Sequence, residues 1–160
     1  QMLDQASGTS ILLDPADYSV CGAFILGNYI SPAKDRDNGV CILAVDNDRI
    51  INGVNITDNM LAYTGQGVVL GKNSQFFNIS NNMFSEFKKQ AILIQGAEST
   101  NVVNNTFWNC ETSLQAVAPA KSSLIVSNNQ FFGKTIIESN RQDGILMSNN
   151  AERNDKILPF

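Results

Sequence analysis

A chain of 160 residues is of one-domain length, and its 43% apolar content is enough for a core. Eleven basic against fifteen acidic residues give a net charge of −4 with no basic cluster, which excludes nucleic-acid binding as a main role, because phosphate neutralisation needs clustered Lys and Arg. No run of 18 apolar residues exists to cross a membrane as a helix, and the absence of His removes every His-based catalytic triad and the commonest metal ligand.

Residues 1–10 are polar and form a lead-in. Ile11 to Leu13 reads as a strand, and a loop containing Pro15 follows. Val20 to Ile30 then carries the first instance of a recurring phrase, AFILGNYI from Ala23 to Ile30. Between Ile30 and Val40 sits SPAKDRDNG, the one long insertion at the bend after the second strand. Val40 to Val45 is a strand, and DNDRIING (Asp46 to Gly53) is its following turn. The phrase then returns as VNITDNML (Val54 to Leu61), FNISNNMF (Phe77 to Phe84), TNVVNNTF (Thr100 to Phe107), LIVSNNQF (Leu124 to Phe131) and ILMSNNAE (Ile145 to Glu152). Residues 151–160 leave the pattern as a tail.

Each phrase is a strand, a two-residue corner and a second short strand. The corner's second residue is Asn28, Asn59, Asn82, Asn105, Asn129 and Asn150, at spacings of 31, 23, 23, 24 and 21. A period in the low twenties marks a solenoid with one coil per repeat. Before each corner the apolar residues alternate, as in Phe77/Ile79 and Leu124/Val126, the period of a half-buried strand. Asn, Asp and Gly tolerate left-handed backbone, so they suit a sharp corner, and stacked Asn side chains can hydrogen-bond along the pile. A β-branched residue at Asn82 is expected to be forced into a left-handed conformation. After the corner Ile30, Leu61, Phe84, Phe107 and Phe131 form an inward column, each worth about 1.5–3 kcal/mol when buried. A third strand follows about seven residues later: Gly67 to Leu70, Ala91 to Ile94, Ser113 to Val117 and Thr135 to Ile137.

Three short strands per turn describe an all-β, right-handed parallel β-helix of about six coils, spanning residues 11–150. A leucine-rich repeat would need Leu-x-x-Leu-x-Leu spacing and a helical half-repeat, which are missing. A β-sandwich also has short strands with frequent turns and stays open on sequence alone. At about 4.8 Å per coil the rod is roughly 30 Å tall, and no amphipathic capping helix is visible at either end. A fragment of a larger protein or one protomer of an oligomer is therefore expected.

The φ-x-φ-[ST]-N-N-x-F phrases resemble the pectate-lyase-like β-helix superfamily. Within it, the short loops and Asn-Asn corners are similar to bacteriophage tailspikes and tail appendages. That resemblance implies a host-surface polysaccharide-binding or depolymerising segment, a homotrimer carried on the virion tail, whose partner is bacterial cell-surface polysaccharide. The alternatives it leaves are a secreted polysaccharide lyase or glycoside hydrolase, and a purely structural shaft. No catalytic signature of the plant-cell-wall enzymes can be matched residue by residue, and no cofactor is expected.

Three constellations are candidates for chemistry. Lys34, Asp35, Arg36 and Asp37 occupy the long loop, the kind of place where binding residues concentrate on a rigid scaffold. Lys34 and Arg36 would suit the carboxylates of a uronate polymer. A calcium ion would need six to eight oxygens, more than this loop offers, so no metal is assigned. Glu86 and Glu111 are a candidate catalytic pair. They stand one coil and two residues apart, roughly 8 Å between backbones, from which side chains reach the carboxyl separation of about 6.5–9.5 Å that inverting glycosidases use. An aromatic group completes the set. With the phenylalanine column inward, Ala62, Ser85, Trp108 and Phe132 should point out, and Trp108 with Phe132 and Tyr63 could stack on sugar rings or pack on a neighbouring chain. The three cysteines, Cys21, Cys41 and Cys110, are odd in number without a Cys-x-x-Cys pair, so packing is their expected role rather than disulfides or zinc.

Overall fold

The computed structural model describes residues 2–4, 8–15, 19–32, 34, 36–117, 123–138 and 144–152. Their architecture is a parallel β-solenoid in which each complete coil contributes one rung to each of three ladders. No helix occurs among the described residues.

The first ladder holds the strands before the corner: Phe24–Leu26, Asn55–Thr57, Asn78–Ser80, Thr100–Val103, Leu124–Ser127 and Ile145–Ser148. Its register runs Ile25, Ile56, Ile79, Val102, Val126, Met147, as the alternation requires. The second ladder follows the corner and includes Tyr29–Ser31, Met60–Ala62, Met83–Ser85, Thr106–Trp108 and Gln130–Phe131. The third holds Thr9–Leu13, Val40–Ala44, Gln66–Leu70, Gln90–Gln95, Thr112–Val117 and Lys134–Glu138. Among the described residues the first and third ladders hold six rungs each and the second holds seven.

The interior is a set of columns. Ile30, Leu61, Phe84, Phe107 and Phe131 are all completely buried. The rings of Phe84 and Phe107 stack at 4.9 Å with 7° between planes, and Phe107 stacks on Phe131 at the same distance. That spacing is the inter-coil distance itself, so coil stacking and ring stacking are satisfied together. Met147, in the last rung of the first ladder, is 45% exposed because no described coil covers it.

The corner forms a ladder of amides. Asn82 Oδ1 accepts from the backbone N–H and the Nδ2 of Asn59, both at 3.0 Å. Its own Nδ2 donates to the Ile56 carbonyl at 2.8 Å and to Asn105 Oδ1 at 3.1 Å. Asn59, Asn105 and Asn129 repeat the pattern, and Asn28 and Asn150 end the described stack. Buried amides are tolerable here because each finds partners above and below. A shorter outer run joins Gln66, Gln90 and Gln115 on the third ladder.

Five details depart from the sequence-based expectation. The left-handed residue is the first of each corner pair, not the second: Gly27, Asp58, Asn81, Asn104, Asn128 and Asn149 have φ between 53° and 62°, while Asn82 does not. The amide ladder, not left-handed strain, is what restricts Asn82. The Asp46–Gly53 turn contains a short strand, Ile51–Asn52, that pairs with Val20–Cys21 and Ser74–Gln75 in a fourth, three-rung ladder. Cys21 lies in the Val20–Cys21 strand of that ladder and is exposed, so it does not serve packing, unlike buried Cys41 and Cys110. Ala62 and Ser85 are buried rather than outward. Beyond residues 11–150, Met2–Asp4 pairs with Tyr29–Ser31 and Ala151–Glu152 pairs with Gln130–Phe131.

Candidate functional site

The bend after the second ladder differs from the Asn corner. Three successive coils place Tyr63, Glu86 and Asn109 at its equivalent position, with φ of 59°, 61° and 48°. Main-chain bonds hold the column: the Tyr63 N–H donates to the Ser85 carbonyl at 3.1 Å and the Glu86 N–H to the Trp108 carbonyl at 3.0 Å. Left-handed backbone is ordinary for Asn but costs Tyr and Glu about 1–2 kcal/mol each. The stacked coils impose it.

The long loop lies over this bend from one side. Its backbone comes so close that a Cβ on Gly65 would sit 2.5 Å from the Asp37 carbonyl oxygen, so only glycine fits there. Two lysines of the following coil fasten it. Lys88 Nζ reaches Asp37 Oδ1 at 2.5 Å, and Lys89 Nζ reaches Asn38 Oδ1 at 3.2 Å. The Lys88 ammonium, through this bond and its charge, holds the Asp37 carboxyl below the usual carboxylate range.

Between loop and bend is an open cavity of about 320 Å³ lined by Arg36, Tyr63, Glu86, Phe87, Lys88, Asn109, Cys110 and Glu111. Asn109 Nδ2 donates to Glu86 Oε2 at 2.8 Å, which orients that carboxylate. Phe87 is buried and forms the apolar floor, while Tyr63 is 39% exposed. The Cys110 thiol is pushed up to about 12, chiefly by burial, and stays protonated. It is therefore no nucleophile at neutral pH.

Of the residues singled out from sequence, the fold gathers Arg36, Tyr63, Glu86 and Glu111 around this cavity. Asp37 stands beside it as the loop's anchor, and Lys34 is exposed outside its lining. Asp35 lies outside the described residues. Trp108 and Phe132 are half-buried, with ring centroids 5.6 Å apart, and do not line the cavity. Lys88, Asn109 and the Phe87 floor were missed. The Lys-Lys pair after Glu86 is plain in the sequence, but its partner loop lies 51 residues earlier and only coil stacking joins them. No group of three or more metal-ligating side chains gathers among the described residues.

Comparison with known proteins bears on the fold. No curated protein and no solved structure matches the sequence significantly. A family model described as the right-handed β-helix region matches residues 11–157, nearly the whole chain. The chain therefore belongs to the right-handed β-helix family.

Proposed function

We propose that this β-helix binds polysaccharide at the cavity under its long loop, as a host-surface-binding segment of a phage tailspike or tail appendage that assembles as a homotrimer. One observation carries the reading: a loop guanidinium, a half-exposed tyrosine ring and two carboxylates from different coils converge on one open cavity. Sugar rings bind against aromatic faces while flanking carboxylates and amides satisfy their hydroxyls. Arg36, Tyr63, Glu86, Asn109 and Glu111 supply both kinds of contact. The corner phrases that resemble tailspikes support the virion setting.

The test is affinity electrophoresis of the intact chain through gels containing bacterial surface polysaccharides, with light scattering for assembly. Retardation by at least one polymer is expected, with a trimer at micromolar concentration. Tyr63→Asn keeps a residue suited to left-handed backbone while deleting the ring, and Arg36→Ala deletes the loop cation. Each should weaken binding about tenfold, or about 1.4 kcal/mol, without lowering the melting temperature by more than about 2 °C. Unchanged binding in both variants overturns this placement of the site, and a stable monomer overturns the trimer.

A second reading has one observation in its favour, that Glu86 and Glu111 line the same cavity. As an inverting glycosidase pair, one would protonate the leaving oxygen while the other activates water. New reducing ends released by the wild type and not by Glu111→Gln would establish it.

A further inference from the structure

We infer that the polysaccharide taken by this cavity is neutral and hydroxyl-rich, not a uronate polymer, an inference that rests on the binding reading above. Four charged side chains line the cavity: Arg36, Lys88, Glu86 and Glu111. The Lys88 ammonium is already paired with Asp37 at 2.5 Å, so its charge is met by the loop and not offered to a ligand. That leaves one guanidinium against two carboxylates. Glu86 is neutralised by no cation among the described residues; its partner is the uncharged Asn109 amide at 2.8 Å. Lys34, the other cation that favoured uronates on sequence grounds, stands outside the lining. The cavity is thus net negative within a chain of net charge −4, and a polymer bearing a carboxylate on each acidic sugar would meet repulsion at both scales. Carboxylates beside an aromatic ring are instead good acceptors for sugar hydroxyls, and they accept without a proton change.

The experiment compares one acidic bacterial capsular polysaccharide with the same preparation after its uronates have been reduced to neutral hexoses, alongside a neutral O-polysaccharide. Affinity electrophoresis of the full chain is run at 20 mM and 300 mM salt. The neutral forms should bind at least about tenfold tighter at low salt, and the gap should narrow at high salt as the repulsion is screened. Glu111→Gln should raise affinity for the unreduced polymer several-fold. Asp37→Asn, which frees Lys88, should do the same, and circular dichroism melting checks that both variants remain folded. Tighter binding of the unreduced polymer overturns this inference and leaves polysaccharide binding standing. Binding to none of the three polymers overturns the binding reading itself.

Discussion

Two bends of the same coil are built on the same backbone device and filled in opposite ways. At the Asn corner every coil places a left-handed residue, and it is always Gly, Asp or Asn. The residue after it is always Asn, buried or half-buried, and the four inner ones are bonded to their counterparts above and below. At the bend after the second ladder the left-handed residues are Tyr63, Glu86 and Asn109, chemically unlike one another and facing a cavity. The first bend repeats one solution because its surroundings repeat. The second keeps Tyr63 and Glu86 on backbone that suits neither side chain, a pattern that fits the binding role proposed for them.

Substitutions that exchange the two situations test this contrast, and the largest effect belongs to the corner. Asn82→Val strips the acceptor from the Asn59 N–H and the donor from the Ile56 carbonyl, both on the amide stack. Orphaned buried groups cost about 1–3 kcal/mol each, so a loss of about 2–6 kcal/mol is expected, a fall of at least about 4 °C in Tm. A variant melting with the wild type would show that the stack is dispensable. Next in size is Asn81→Val, which forces a β-branched residue to φ near 56° and should cost about 1–2 kcal/mol in denaturant unfolding.

The opposite bend should answer in the other direction. Glu86→Asn replaces an ill-suited left-handed residue with a suited one. It should leave stability unchanged or raise it by up to about 1 kcal/mol, while polysaccharide binding falls. A large destabilisation would mean that Glu86 serves the coil, and the two bends would then not differ in kind.

Smallest is the acid response of the loop. Asp37 has its carboxyl depressed by Lys88, so its contribution is fully present above the ordinary carboxylate value of about 3.9 and is lost as pH falls through the depressed value. The loop should therefore loosen below about pH 4. Amide exchange confined to residues 36–39 and 63–66 reads this, and Asp37→Asn should remove the pH dependence.

How much was legible follows from what repeats. The coil length, the inward columns and the amide ladder all recur at one phase, and each recurrence must pack on a copy of itself. Phe84, Phe107 and Phe131 are spaced 23 and 24 residues apart because their rings stack at 4.9 Å, so the spacing alone determined their contact. The left-handed member of each corner pair was not legible, because Asn-Asn allows either residue to bend and only the hydrogen-bond geometry selects the first. Exposed Cys21 escaped for a similar reason: it belongs to a two-residue strand too short to show alternation.

The site divides in the same way. Sequence by itself determined that Glu86 and Asn109 share a position one coil apart, since that follows from the period. Tertiary structure alone decided that Arg36 reaches the same cavity, that Lys88 is occupied by Asp37, and that Trp108 and Phe132, neighbours as the period places them, lie outside its lining. The long loop interrupts the period, so no repeat relation predicts where its side chains land. Its path is set by the close approach at Gly65 and by two lysines a coil further on, contacts between residues whose separation along the chain carries no regularity.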